Sequence, residues 1–521
     1  MTSDNGLSMH KASQHLILPT DERVLAFIPH AKTGDGKIAV PHRREETRIL
    51  RNLGYNAPSP ILWHYEWPGL DDPFESQKKT AALLSMNNRA YVLNTMGTGK
   101  TRSALFAADF LMQTNCIKKV LIVAPLSTLN ATWLQELKAV FPHRRGVVVH
   151  HSTRKRRLKL LDSEADFYII NHDGVKTIPD ELMRKRFDCI ILDELAVYRN
   201  QGTELWKSTR ELVKNTGFLW GLTGAPTPNA PTDAFAQAKL IRPDTVTYFS
   251  RFRDETMFKV DNFKWVAKKT ANDSVYALLQ PSVRYKLEDC IDIPETTTTF
   301  RSVALSPKQL KVYKGVNSAF AAEMDGKIVS AANEAVKMNK LLQIACGYVY
   351  TNSGDSVSLS PNSRLEELNE VIEESDRKVI VFVPFKNAIR EIERYLVGKK
   401  HTVDIVYSAV SRAKRDEIFH RFQTDKQKTV LVAHPKTMSH GLTLTAATTI
   451  VWYGATASLD TYIQANARIA RPGQTNKTSI VHLQSTPIED RVYSRLMEKK
   501  STQGALLEMF DGVNDKTKLR A

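Results

Sequence analysis

The run Met96-Gly97-Thr98-Gly99-Lys100-Thr101 combines the residue types that grip a phosphate. Glycines free the backbone to wrap its N–H groups around anionic oxygens, and a helix start adds a positive dipole. Lys100 can reach the outer phosphates of a nucleoside triphosphate, and the Thr101 hydroxyl can ligate Mg²⁺. A second constellation is Phe187-Asp-Cys-Ile-Ile-Leu-Asp193-Glu194, an apolar run ending in two acids. At a strand's carboxyl end, Asp193 can hold Mg²⁺, and Glu194 can orient or deprotonate an attacking water. Alone, such a pair is often a solvated strand edge; behind a phosphate loop it is a hydrolytic signature. Far downstream, Arg468 and Arg471 lie three apart, a spacing that puts them on one face of a helix. An arginine supplied from a second unit can meet the outer phosphate only when two units close, which couples closure to hydrolysis.

These groups need elements to position them. Arg89–Asn94 reads as the strand before the phosphate loop. Thr101–Met112 reads as the helix after it, with Leu105, Ala108 and Met112 at helical spacing. Continuous apolar runs follow at 119–124, 147–149, 167–170 and 189–192, separated by helical stretches. That alternation predicts a parallel sheet covered on both faces. The block is expected to end near Pro243. Residues 244–375 have a mixed texture. Ser306-Pro307 reads as a helix start, a second helix follows through Ala335–Ala345, and Tyr348–Ser358 reads as a hairpin. The alternation resumes at 378–383, 403–406, 429–433, 449–452 and 479–483, with helices at 387–396 and 412–422. The fold class is therefore α/β, with two parallel-sheet domains in tandem. The expected organisation is an irregular N-terminal accessory segment (1–70), a first domain (71–243), a mixed insertion (244–375), a second domain (376–505) and a frayed polar tail (506–521). Within the accessory segment, helical periodicity is confined to Arg44–Leu53.

Composition bounds the rest. The chain has 521 residues, 42% hydrophobic and 25% charged, which excludes disordered, collagen-like and disulfide-scaffold classes. No apolar run approaches membrane-spanning length, and the N-terminus lacks the layout of a secretory signal. The four cysteines form no C-x-x-C pair, so no structural metal is expected. Lys and Arg total 73 against 56 Asp and Glu, a net charge of +17 that suits a polyanionic partner. His150-His151 lacks acidic or thiol neighbours, and no H-E-x-x-H occurs.

From about residue 70 to 505, the motifs resemble superfamily-two helicases and translocases of the Swi/Snf-like branch. Asn94-Thr-Met-Gly-Thr-Gly-Lys-Thr101 is similar to D-E-M-G-x-G-K-T. Val120–Leu126, then Trp133, resembles the next motif. Leu222-Thr223-Gly224-Ala-Pro-Thr227-Pro-Asn229 resembles the L-T-G-T-P-x-x-N signature, and Gln464-Ala-Asn-Ala-Arg468-Ile-Ala-Arg471-Pro-Gly-Gln474 matches Q-A-x-x-R-x-x-R-x-G-Q. Phe74-x-x-Gln77 resembles the adenine-reading motif, and Lys436–Leu444, with Gly441, the fifth motif. Some of the wording resembles phage-encoded members. The chain departs at Asn94, at Ala196 (the histidine of D-E-A-H) and at His440.

The resemblance implies two RecA-like domains with ATP between them. It places Gln77, Met96, Gly97, Thr98, Gly99, Lys100, Thr101, Gly441 and Gln464 around ATP, and Thr101 and Asp193 around Mg²⁺. Lys100, Glu194, Arg468 and Arg471 become the catalytic groups; Thr223, Gly224 and Thr227 couple nucleotide state to DNA. The implied activity is ATP-dependent translocation along duplex or branched DNA, without sequence preference, in a cytoplasm (the host's, if phage-encoded). DNA-contact candidates are Pro125, Ser127 and Thr128, His172 with Asn171 and Asp173, Arg154 and Arg157, and His434 with Pro435 and Lys436. Trp63, Tyr65 and Trp67 suit base stacking less well than packing. One alternative is an RNA helicase, which stimulation by RNA over duplex DNA would reveal. The other is a nucleic-acid-binding scaffold with a decayed ATPase, which any turnover would exclude.

Overall fold

The structure is a computed structural model that describes residues 7–10, 13–245, 248–260, 265–290, 292, 294–319, 321–324, 327–330, 334–350, 356–438 and 443–511. The chain forms two compact units, one from residues 1–290 with 503–521 and the other from 291–502.

The first unit is built on seven parallel strands: β1 (Arg89–Val92), β2 (Val120–Ala124), β3 (Gly146–Val148), β4 (Phe167–Asn171), β5 (Cys189–Asp193), β6 (Phe218–Leu222) and β7 (Ser282–Val283). Their order across the sheet is β7-β1-β6-β5-β2-β4-β3. The apolar runs are continuous because both faces are covered. In β2, Val120, Ile122 and Ala124 join one core cluster, while Leu121 and Val123 join the cluster on the other face. On the first of these faces pack helices α1 (Glu75–Met86) and α2 (Lys100–Gln113).

The second unit holds six parallel strands: β8 (Thr296–Ser302), β9 (Lys378–Phe382), β10 (Thr402–Val406), β11 (Thr429–Ala433), β12 (Ala447–Trp452) and β13 (Thr478–Gln484). Their order is β8-β13-β12-β9-β11-β10. Helices α3 (Asn362–Glu374), α4 (Lys386–Gly398), α5 (Arg412–Thr424) and α6 (Leu459–Asn466) accompany this sheet. The expected fold class, two parallel-sheet α/β units in tandem, is the fold observed.

Several expectations need correction. The N-terminal segment is not irregular. Ser8–His10, His15–Pro19, Lys32–Gly34 and Lys37–Pro41 form a four-stranded antiparallel sheet, covered by helices Glu22–Phe27 and Arg44–Asn52 around Leu16, Leu18, Val24, Ile38, Val40 and Leu50. It belongs to the first unit. Arg44 Nε donates to Ser85 O at 2.8 Å, and its guanidinium lies over Phe218. The expected boundary at Pro243 also differs from the structure. Phe252, Val275 and Leu279 belong to the first unit's core, and Ser282–Val283 extends its sheet beside β1. Residues 291–375 are likewise no separate insertion. β8 pairs with β13 over seven residues, and Leu365, Leu368, Val371 and Ile372 of α3 enter the second unit's core. The expected tail starts too early: Leu506, Leu507 and Phe510 are buried in the first unit. Residues 512–521 lie outside the described residues, as does the hairpin tip at 351–355.

The start at Ser306-Pro307 is a capping box. Ser306 Oγ accepts from Gln309 N at 3.2 Å, and Gln309 Oε1 accepts from Ser306 N at 3.0 Å. The stacking candidates prove to be packing residues where they are buried. Tyr65 is buried with its hydroxyl on Asp109 at 2.6 Å, and Trp67 packs edge-on against Tyr65 and Phe106.

One buried ion pair organises the second unit. Arg364 Nη2 donates to Glu489 Oε1 at 2.7 Å and to Leu483 O at 3.0 Å. The other carboxylate oxygen of Glu489 accepts from Ser485 N and Thr486 Oγ1. Both charged side chains are almost wholly out of water. Removing one partner leaves an uncompensated buried charge, so Glu489→Ala is expected to cost about 3–5 kcal/mol. Hydrogen exchange checks this: protection should fall in α3 and β13 and persist in β1, β2 and β5.

Candidate active site

The strand register gathers the first-unit residues. Leu222 at the end of β6 is level with Val92 of β1 on one side and with Asp193 of β5 on the other. Three carboxyl strand ends therefore open on one edge, the edge where ligands bind in open parallel sheets. From them emerge the phosphate loop, the Asp193-Glu194 pair and the Thr223-Gly224 turn.

The phosphate loop leaves β1 through Leu93, Asn94 and Thr95. Gly97 and Gly99 adopt φ of +86° and +78°, the left-handed region where a side chain is strained. Lys100 Nζ donates to the carbonyls of Asn94 at 2.9 Å and Thr95 at 3.0 Å, and Thr98 Oγ1 donates to Thr95 O at 2.9 Å. Lys100 and Thr101 open α2, whose N-terminal N–H groups face the loop. Gln77 on α1 is buried against this loop. A Cβ added at Gly99 would stand 2.0 Å from Gln77 Nε2, while Gln77 Oε1 is held by Phe74 N at 3.1 Å.

Asn94 departs from the usual aspartate, and its surroundings explain why. Its Nδ2 donates to Thr80 Oγ1 at 3.0 Å, and its Oδ1 accepts from Tyr285 N at 3.0 Å. Thr80 commits its own proton to Ser76 O at 2.6 Å. The position therefore needs a donor and an acceptor together, which an amide supplies and an ionised carboxylate does not.

Asp193 accepts from Trp133 Nε1 at 2.9 Å and from Glu194 N at 3.0 Å. Trp133 lies in a π-helical turn, Leu129–Leu134, that follows β2. Burial pushes the Asp193 carboxyl up, against the Trp133 hydrogen bond and the nearby Lys100 charge. A partly buried carboxylate, with a threonine hydroxyl at a neighbouring helix start, fits a cation that keeps phosphate and water ligands, as Mg²⁺ does. Among the described residues no group of three or more His, Cys, Asp or Glu side chains is placed to hold a metal ion. Glu194 sits at φ +56°, ψ +54°, a conformation rare for a non-glycine residue and common at functional sites. Ala196, in the place of the usual histidine, is buried in the following 3₁₀ turn.

The Thr223-Gly224 turn is bonded to the end of β1, beside the phosphate loop. Thr223 N donates to Val92 O at 2.9 Å, and Thr223 Oγ1 accepts from Ala225 N at 3.2 Å. A Cβ at Gly224 would stand 3.4 Å from Asn94 O and 3.9 Å from Lys100 Nζ. Thr227 is buried nearby in sequence, and Pro226 O accepts from Gln237 Nε2 at 2.6 Å.

In the second unit, Arg468 and Arg471 do not share a helical face. Helix α6 ends at Asn466, and both arginines lie in the turns that follow, their Nε atoms bonded to Gln464 O at 2.8 Å and Ala467 O at 2.7 Å. Arg468 is buried. Arg471 is partly exposed, and burial pushes its guanidinium down to about 10. Gln464 is buried with Nε2 on Asp460 at 2.9 Å. Gln474 binds three carbonyls, of Thr445, Ala447 and Ile469, and so fixes the turn carrying the arginines. Ser439–Leu442, including Gly441, lie outside the described residues.

The DNA-contact candidates divide. Ser127 and Lys436 are exposed, whereas Pro125, Thr128 and Pro435 are buried, Thr128 with its hydroxyl on Pro125 O. His172 is buried against Tyr198 OH at 3.0 Å, and burial pushes its pKa down to about 4. It is neutral and unsuited to a phosphate. Arg157 braces its own loop through His151 O at 2.7 Å and Thr177 Oγ1 at 3.2 Å, while exposed Arg154 pairs with Glu181. His434 is half-buried, its Nδ1 accepting from Lys436 N. Sequence reasoning missed the bracing by Thr80 and Tyr285 and the Trp133 bond to Asp193; the spacing of Trp133 after β2 was the available signal.

The conserved SNF2-related domain matches residues 79–348, which is 270 of the 521 residues. The chain belongs to the SNF2-related family. The helicase conserved C-terminal domain matches residues 363–473. Among its relatives, the chain is 23% identical to the CHD3-type chromatin-remodeling factor PICKLE of Arabidopsis thaliana, over 83% of this chain and 34% of that protein. It is 25% identical to a SWI/SNF-related matrix-associated actin-dependent regulator of chromatin, subfamily A-like protein 1, of Xenopus tropicalis, over 83% and 44%. Putative protein p41 of Acyrthosiphon pisum secondary endosymbiont phage 1 is 24% identical, over 81% and 94%. This SNF2-related chain thus spans under half the length of the plant and frog relatives. The Sulfolobus solfataricus SWI2/SNF2 ATPase core, solved in complex with double-stranded DNA, is 21% identical with a TM-score of 0.40, covering 85% of this chain and 96% of that one.

Asn94→Ala removes both hydrogen bonds that suspend the phosphate loop. The expected cost is about 1–3 kcal/mol of stability together with weaker ATP binding. A thermal shift and an ATP titration measure the two effects; unchanged ATP affinity would show that the loop keeps its shape without the amide.

Proposed function

We propose that the protein is an ATP-dependent DNA translocase that hydrolyses ATP and moves along duplex or branched DNA. The observation that carries this is the level register of Val92, Leu222 and Asp193, which draws the phosphate loop, the acidic pair and the coupling turn to one edge. The excess of basic residues supports a polyanionic partner.

In this reading, ATP lays its phosphates on the loop N–H groups of Gly97–Thr101, and Lys100 exchanges its two carbonyl partners for phosphate oxygens. Gln77 reads the adenine. Thr101 and Asp193 hold Mg²⁺, which when bound neutralises phosphate charge. Glu194 aligns the water, its backbone conformation fixing where the carboxylate points. Arg471 supplies positive charge to the transition state, with Arg468 and Gln474 holding its turn. Gly224, where a Cβ would stand 3.4 Å from the Asn94 carbonyl that holds Lys100, senses whether Lys100 is on phosphate or on carbonyl. That two-state contact passes nucleotide state to the backbone-gripping loops, where exposed Ser127 and Lys436 meet phosphates. Contacts of that kind are independent of sequence and steeply weakened by salt.

Steady-state ATPase assays with and without duplex DNA test this. Lys100→Ala is expected to lower turnover by about 10²-fold or more while leaving nucleotide-free DNA binding within a few-fold. Near-normal turnover would remove the phosphate-loop assignment. Arg471→Ala should lower kcat by about 10³-fold with a smaller change in KM. A rise in KM alone would make Arg471 a ground-state contact. Glu194→Gln should bind ATP and Mg²⁺ yet hydrolyse very slowly; rapid hydrolysis would point to another acid.

A further inference from the structure

The segment after β2 reaches towards both residues that the proposed function gives to the cation. The π-helical turn Leu129–Leu134 runs directly into the helix Gln135–Val140. Leu129, Trp133, Leu137 and Val140 enter one core cluster together with Ile122 and Ala124 of β2, so four buried side chains fix the segment to the sheet. Trp133 is fully buried, and its indole Nε1 donates to Asp193 Oδ2 at 2.9 Å. Three residues on, Glu136 Oε1 accepts from Nε of Arg102, the residue after Thr101 in the first turn of α2. Both members of that ion pair are partly buried. One anchored segment therefore holds the carboxylate at the end of β5 and, through Arg102, the helix start that carries the threonine hydroxyl.

The terminal torsion of an aspartate is broad, so rotamer preference alone does not set the plane of its oxygens. Here each oxygen of Asp193 has a donor, Trp133 Nε1 on Oδ2 and Glu194 N, at 3.0 Å, on Oδ1. An indole N–H is a donor only, so it turns the carboxylate without competing for the cation. Groups that orient a metal ligand in this way are typically worth about 10–100-fold in metal affinity.

We infer that Trp133 and Glu136 are positioning residues for the cation: Trp133 sets the plane of the Asp193 carboxylate, and Glu136, through Arg102, sets where α2 presents Thr101. The inference rests on the Mg²⁺ assignment above and deepens it, since it names the groups behind the two that would touch the ion.

The test uses the full chain, a non-hydrolysable ATP analogue, and Mn²⁺ as a paramagnetic stand-in for Mg²⁺, its free concentration read by electron paramagnetic resonance. Trp133→Phe keeps an aromatic ring in the core and removes the donor; it should weaken Mn²⁺ binding by about tenfold and leave analogue affinity in EDTA within about twofold. Glu136→Gln, at a partly exposed position that tolerates the change, should weaken Mn²⁺ binding by about threefold with the same metal-free affinity. Because Trp133 acts through Asp193, Trp133→Phe combined with Asp193→Ala should bind Mn²⁺ no more weakly than Asp193→Ala alone. Unchanged Mn²⁺ affinity in either single variant removes that residue from the account. A loss in EDTA as large as the loss for Mn²⁺, or a Trp133→Phe effect that adds in full to that of Asp193→Ala, would make the role structural and overturn the inference. If Asp193→Ala loses Mn²⁺ while both single variants keep it, the inference falls and the Mg²⁺ assignment stands. If Asp193→Ala itself binds Mn²⁺ as the unmodified chain does, the assignment falls and takes the inference with it.

Discussion

The buried side-chain amide of Asn94 suspends the phosphate loop between a helix and a strand. It gives a proton to Thr80 on α1 and takes one from Tyr285 beyond β7, while its main-chain carbonyl holds the Lys100 ammonium. A buried amide with both ends satisfied is rigid, and one with either end unpaired is costly. The loop's two left-handed glycines then wrap a space whose floor is fixed before any nucleotide arrives. A preorganised cradle of this kind does not have to be ordered at the moment of binding.

Asp193 and the Thr223-Gly224 turn depend on the same sheet edge. Asp193 is partly buried at the level of Val92, its carboxyl raised by desolvation and restrained by Trp133. Glu194 holds a strained backbone conformation, a cost of order 1–3 kcal/mol that persists only where the surroundings fix it. A Cβ at Gly224 would stand 3.4 Å from the Asn94 carbonyl. The turn after β6 therefore lies beside the carbonyl that holds Lys100.

Much of this was legible in the sequence because parallel strands buried on both faces read as unbroken apolar runs. The strands at 120–124, 167–171, 189–193, 378–382 and 429–433 lie close to their expected places. The elements that escaped notice lack that signal. Strand β8, Thr-Thr-Thr-Thr-Phe-Arg-Ser, is an exposed edge, polar except for Phe300, and only that ring and its β-branched residues hint at a strand. Strand β7 is two residues long. Strand β6 carries Gly221, which looks like a break but is required because a Cβ there would stand 2.6 Å from Leu195. In the N-terminal module, short strands punctuated by proline and glycine hid a four-stranded sheet. The chemistry of the phosphate loop and acidic pair was readable from residue type. The end of α6 before Arg468 was not, because the three-residue spacing of the arginines suits a helix as well as a turn. The burial of His172 could not be read from spacing either, since it depends on Tyr198, which is distant in sequence.

Displacement of a triplex-forming strand from duplex DNA tests the central claim most directly, since it requires movement along the duplex and no unwinding. The account predicts displacement by the unmodified chain with ATP and Mg²⁺, none with a non-hydrolysable ATP analogue, and a rate that falls steeply with salt. ATP hydrolysis stimulated by duplex DNA without any triplex displacement, alongside efficient separation of a forked duplex, would contradict it.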